Sequence, residues 1–298
     1  MHSPTGEAQA QVRLPSRVIK LRRAGSHVPQ AAWHGPCNYT GRMSTTARLA
    51  LSASSVLVAL LGWWALTASG AVPPELLAGP GAVLAALRDI LADGYRGTTL
   101  AQNTFATLGR CAGGFLLASL IGVPLGMMMG ISRTASAALD WIVQVLRPLP
   151  PLSYMILLIV WLGVGNASKL ALLFLTSFPI IVSASAAGVR GVTRQRVQAA
   201  KSLGASDASV FWHVIFPGAL PQIFSGLRIA LAAAFSTVVA AELLAATDGL
   251  GWMVISASHF LRSDVVELGI IILGLLGMAL GGALLAIDLR VVHWRGRD

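Results

Sequence analysis

Apolar residues run almost unbroken through residues 49–72, 101–130, 136–163, 169–189, 221–246 and 265–289. A helix needs about 20 such residues to cross the hydrocarbon of a bilayer, so each run is long enough to span. Only 11% of the 298 residues are charged. Soluble domains carry about a quarter, so this chain is short of groups to face water. The reading is an all-α, polytopic transmembrane helical bundle of about six spans.

The formal net charge of +10 fits that reading better than nucleic-acid binding, because Lys and Arg gather in cytoplasmic loops and set orientation. Six spans put both termini on one side. The basic tail, the basic loop at 190–201 and the basic end with Arg290, Arg295 and Arg297 all fall there, whereas the opposite loops hold Arg88, Arg96, Lys169 and Arg262. Both termini and the 190–220 loop are therefore expected to be cytoplasmic. Cys37 and Cys111 have no spacing for a metal site or a disulfide framework, and Cys111 reads as a small packing residue.

Residues 1–42 mix Pro, Gly, Gln, His and basic residues without apolar periodicity, the composition of a disordered tail. Met43 opens a more ordinary beginning and is an alternative start; residues 43–298 form the transmembrane domain. The first run exceeds the 7–15 residues usual for the apolar part of a signal peptide, which favours a retained helix. After it, AVLAALRDIL has apolar residues at helical spacing and reads as a short surface helix. Gly122, Gly126 and Gly130 in the second run form a ladder of small residues that lets helices approach. Gly274, Gly277, Gly281 and Gly282 in the last read the same way. The third run is broken at Arg147-Pro148-Leu149-Pro150-Pro151. Proline removes a backbone donor, and irregular backbone at membrane depth survives only beside protein or water.

Three side chains are candidates for a transport pathway. Glu242 lies within the fifth run, where a carboxylate is expensive and therefore functional by default. It could face a cavity, or pair with a hydroxyl such as Ser236 or Thr237. Arg110 in the second run is either an attractor for anions or a paired charge. Arg147 has a pathway role or snorkels to the interface. Arg228 reads as an interfacial anchor, and His213, His259 and Arg262 need no metal role.

The segment GVTRQRVQAAKSLGASDASVFWHVIFPGALPQ is the most informative. Thr193 can cap a helix over 194–203, and Gly204 follows where a helix ends in the left-handed conformation. Ser206 or Asp207 can cap a second helix, stopped by Pro217. Gln198-Ala199-Ala200, Gly204 and Val214-Ile215-Phe216-Pro217 stand in the order and spacing of the EAA loop, and this chain resembles the permeases of binding-protein-dependent ABC importers. It departs from the family pattern in Gln198 for Glu, Val214 for Ile and Phe216 for Leu. RPLPPLSYMILLIVWLGVGNASKL, GALPQIFSGLRIAL and AAELLAATDGLGWMV extend the resemblance over about 75–298, to the nitrate/sulfonate/taurine permeases and most of all to the taurine branch.

The resemblance implies a type I ABC importer permease fold in a bacterial inner membrane. It also implies a second permease copy forming a homodimer, two ABC ATPase subunits and a periplasmic substrate-binding protein. ATP would be bound by the partner ATPase, leaving this chain a non-catalytic subunit without a cofactor, contacting membrane lipid and no nucleic acid. Its substrate would be taurine or a related small sulfonate, with alkanesulfonate, nitrate or another small anion as alternatives. Independently, the sequence lacks a Gly-x-x-x-x-Gly-Lys-Ser/Thr phosphate loop and the His-Glu-x-x-His and Gly-x-Ser-x-Gly motifs of hydrolases. A secondary transporter would show internal repeats and paired broken helices, whereas only the third run is clearly interrupted.

Overall fold

The computed structural model describes residues 44–294; the expectations for the basic tail and the start at Met43 lie outside the described residues. The chain divides after Leu57 into two units. In the first, the described part is the leading portion of helix α1 (Thr45–Ala68), which exposes Leu51, Val56 and Leu57.

The second unit holds the remainder of α1 and every other helix. Among the described residues five helices are long and apolar enough to cross a membrane, with a sixth span if a bent pair is counted as one. That pair is α4 (Arg133–Leu146) and α5 (Pro151–Leu162), which meet at 98°. The break falls at the proline cluster anticipated from sequence. Pro151 starts α5, where its missing N–H costs nothing.

The core is a packed trio of α3 (Leu100–Ile131), α6 (Asn166–Arg190) and α9 (Phe216–Ala245). Cys111, Ala118, Leu173, Ile181, Ala230, Ala234 and Val238 are buried between them. Small residues on α3 let α6 approach along its length. A β-carbon on Gly126 would lie 2.5 Å from the carbonyl oxygen of Val182, and Gly122 and Gly130 face Ile181 and Val189 in the same way. The small-residue ladder is therefore a helix interface. The same expectation fails for α11 (Ser263–Val291): Gly274, Gly281 and Gly282 have nothing within 4 Å of an added β-carbon, and only Gly277 meets a neighbour, Phe235. A small residue favours approach only where another helix lies opposite.

A second cluster joins α2 (Pro80–Asp93), α10 (Leu250–Ser258) and α11 through Val83, Ile90, Leu250, Met253 and Val265. Trp63 Nε1 donates to the Ala78 carbonyl at 3.0 Å, and Glu267 accepts from the Ala78 N–H at 2.7 Å.

Pro217 does not stop the helix before it. Helix α8 (Asp207–Val210) passes through a π-turn at Phe211–Ile215 directly into α9, so the run from Asp207 to Ala245 is a continuous 39 residues. The π-turn widens the coil just ahead of Pro217, where the ring would otherwise press on the preceding turn.

Gly126→Ala is expected to lower the thermal unfolding midpoint of the detergent-solubilised protein, since overpacking costs about 1–3 kcal/mol. Gly274→Ala, where the added carbon meets nothing, is expected to leave the midpoint unchanged. Tryptophan fluorescence on heating reads both.

Candidate functional site

Helix α9 ends at Ala245 and α10 begins at Leu250, and the four residues between them carry the densest polar network in the unit. Gly249 turns the chain at φ +113°, in a region that favours glycine. A β-carbon there would overlap the Glu242 carboxyl group, and one on Gly251 would lie 2.7 Å from the Val239 carbonyl oxygen. Both glycines let the start of α10 close over Glu242.

The start of a helix leaves N–H groups without intrahelical partners. Here three successive ones are taken by side chains. The Gly249 N–H donates to Asn103 Oδ1 at 2.9 Å, the Leu250 N–H to Thr107 Oγ1 at 2.9 Å and the Gly251 N–H to Glu242 Oε2 at 3.0 Å. The Thr107 hydroxyl in turn donates to Glu242 Oε2 at 2.9 Å. Asn103, Thr107 and Glu242 are completely buried.

Arg110, one helical turn beyond Thr107, completes the network. Its Nη1 donates to Glu242 Oε1 at 2.7 Å and to the Asp248 carbonyl at 3.0 Å. Nη2 donates to Asp248 Oδ1 at 2.6 Å, and Nε to Asn166 Oδ1 at 2.8 Å. One guanidinium thus ties α3 to α6, to α9 and to the break before α10. Asn103, Thr107 and Arg110 follow one another at spacings of four and three, which places them on one face of α3.

The second candidate is the segment between α6 and α9. Helix α7 (Arg194–Ser202) ends in a Schellman motif: the Ala205 N–H donates to the Ala200 carbonyl at 3.1 Å, and the Gly204 N–H to the Lys201 carbonyl at 2.9 Å. Gly204 holds φ +81° there. Ser206 caps α8 by accepting from the Ser209 N–H, and Lys201 pairs with Asp207 across the turn at 2.8 Å. Thr193 stands at the cap position of α7 without a side-chain bond. Gln198, Ala199 and Gly204 are exposed, Val214, Phe216 and Pro217 half-buried. Leu203 is 89% exposed and Trp212 60%. Leu203 stands at the Gly204 turn, and Trp212 in the π-turn beyond it, where its ring meets Phe211 and Phe216 edge-on.

Residues 122–293 match the family of binding-protein-dependent transport system inner membrane components. The chain belongs to this family. It is 41% identical over 256 residues to the taurine transport system permease protein TauC of Escherichia coli K12, covering 86% of this chain and 93% of that one. It is 36% identical over 222 residues to the putative aliphatic sulfonates transport permease protein SsuC of the same organism, covering 74% of this chain and 82% of the relative. The nitrate import permease protein NrtB of Leptolyngbya laminosa is 32% identical over 271 residues, covering 89% and 96%. In three dimensions the permease superposes on a chain of the MetNI methionine ABC transporter, in inward-facing conformation, with a TM-score of 0.56 at 19% identity, over 64% of this chain and 95% of that one. Its fold is that of a type I ABC importer permease.

Of the three pathway candidates in the permease, Glu242 and Arg110 are brought together and Arg147 is not. Arg147 is exposed at the end of α4, beside a separate cavity of about 310 Å³ that Asp140, Gln144 and Arg190 also line. The hydroxyl that serves Glu242 is that of Thr107, on another helix, while Ser236 bonds back to the Ala232 carbonyl. Arg228 reaches the buried Asp288 of α11 at 3.7 Å, a tie between two spans. Lys169, expected in a loop, lies within α6 and is 4% exposed. Asn103, Thr107, Asn166 and Asp248 were not singled out from sequence. The helical spacing of the first two with Arg110 was the available signal.

Removing one member of a buried ion pair strands the other and costs about 3–5 kcal/mol. Glu242→Gln is therefore expected to lower the unfolding midpoint of the purified permease sharply. Adding Arg110→Gln to it should cost much less than Arg110→Gln does alone. Strict additivity in that double-mutant cycle would contradict a coupled pair.

Proposed function

We propose that the permease forms the path for taurine or a closely related small sulfonate, and that a separate ATPase drives it through the segment at 190–220. The observation that carries the substrate is the 41% identity to a taurine permease over 86% of the chain. That figure stands above those for the sulfonate and nitrate permeases named above. Family membership supports the rest: a binding protein delivers substrate, ATPase subunits supply energy, and the permease itself carries out no chemistry.

In this reading Gln198, Ala199, Ala200, Gly204, Val214, Phe216 and Pro217 form the coupling element. Leu203 and Trp212 project as apolar contacts into a groove of the ATPase. Large apolar side chains left in water are the feature to be covered by a partner. Gln198 offers a neutral hydrogen bond where the family pattern has a carboxylate, so docking relies on apolar contact and the Gly204 turn. The basic residues of this segment put it, with both termini, on the cytoplasmic side. Two copies of the permease pair around the path. ATP binding brings the two coupling elements together and shifts the spans between inward-open and outward-open states. Arg110 and Glu242 act by holding the α9–α10 break in shape, and Arg147 lies beside the path.

The experiment is uptake of labelled taurine into proteoliposomes holding the permease, its ATPase and its binding protein. ATP-dependent uptake is expected, and Gly204→Asp should abolish it. The left-handed backbone at +81° disfavours a β-carbon, and the added carboxylate disturbs the docking turn. ATPase activity stimulated by the binding protein without taurine movement would refute the substrate. Unimpaired uptake by Gly204→Asp would refute the coupling role.

A further inference from the structure

A cavity of about 330 Å³ lies between the start of α6 and the α9–α10 break. Arg110, Asn166, Lys169, Thr247 and Asp248 are among the residues that line it. That volume is about ten water molecules at about 30 Å³ each, enough for a molecule of a few heavy atoms.

The charges around the cavity are not equally satisfied. All three nitrogens of Arg110 are spent on Glu242, Asp248 and Asn166. Lys169 is 4% exposed and lines the cavity; among the described residues no hydrogen bond or close ion pair reaches it, and Asp248, Glu242 and Arg110 act on its charge only from farther off. An ammonium held this far from bulk water with no direct contact to a carboxylate is costly. An anion in the cavity would remove that cost.

Two further features give the cavity a polarity. Lys169 stands in the first turns of α6, a 25-residue helix whose cap residue, Gly165, provides no side-chain bond to the free N–H groups. Such a helix start favours negative charge. Asp248, which also lines the cavity, is 42% exposed, with one carboxylate oxygen held by Arg110. The cavity is therefore lined by groups of both charges.

We propose that this cavity binds a small zwitterionic sulfonate, its sulfonate on Lys169 and the start of α6 and its ammonium on Asp248. The inference rests on the sulfonate-import reading and deepens it by naming a site in the permease itself. A plain anion such as nitrate satisfies Lys169 but gives Asp248 nothing, so the site discriminates by charge pattern as well as size.

The test is binding of taurine and of ethanesulfonate, which lacks the amine, to the purified full-length permease in nanodiscs, alongside uptake by the complete reconstituted transporter. Lys169→Gln should weaken both ligands by about tenfold or more, the loss of one charge-assisted contact, and Lys169→Arg should restore most of it. Asp248→Asn should weaken taurine and leave ethanesulfonate within about twofold. That ratio does not depend on how much protein is folded. Wild-type affinity in Lys169→Gln, or equal losses of both ligands in Asp248→Asn, would overturn the site. Wild-type transporter that imports no taurine would instead overturn the substrate reading on which the site rests.

Discussion

A carboxylate and a guanidinium, 2.7 Å apart and almost wholly removed from solvent, hold the most polar part of a helix bundle whose outer surface is apolar. Neither charge could be there alone, since an unpaired ion at membrane depth is costly. Together they cost less, provided that every remaining donor and acceptor also finds a partner. That condition recruits Thr107, Asn103 and Asn166, and three N–H groups at the start of α10. It also requires glycine at 249 and 251, because a side chain at either would occupy the volume of Glu242 or its backbone neighbours. Satisfying that single pair ties the ends of α3, α6, α9 and α10 together, beyond the apolar core that packs α3, α6 and α9.

The same pair stands near one end of a long continuous helix. The helical run from Asp207 to Ala245 begins at the exposed turn with Gly204 and ends three residues past Glu242. At about 1.5 Å per residue it would measure on the order of 60 Å. Pro217 and Pro221 are carried inside it, the first immediately after a π-turn. One continuous helical run connects the segment proposed to meet the ATPase with the break that lines the Lys169 cavity. Displacement at one end therefore has a mechanical route to the other. The α4–α5 pair, bent by 98°, is the contrasting case, a span whose proline cluster divides it into separate pieces.

Much of this was legible in the sequence because it depends on local chemistry. The apolar runs located the spans, Pro148, Pro150 and Pro151 located the break, and Gly204 located the left-handed turn. The ladder at Gly122, Gly126 and Gly130 identified a helix interface, though not that α6 fills it. What escaped depends on which helices meet. Gly274, Gly281 and Gly282 have the same spacing signature but no helix opposite them in this chain. Thr107 and Asp248 are separated from Glu242 and Arg110 by more than a hundred residues in one case or the other, and no local pattern ties them. Pro217 was read as a stop because proline usually ends a helix; the π-turn that accommodates it leaves no residue signature.

Three side-chain caps make the start of α10 as firm as the helices around it. Hydrogen exchange of the permease in nanodiscs, followed in peptides covering residues 247–253, measures this directly. The Gly249, Leu250 and Gly251 amides are predicted to be protected as strongly as the middle of α3, and Thr107→Val should release Leu250 first. Exchange there as fast as at Gly204 and Ala205 would contradict the clamp and the organisation built upon it.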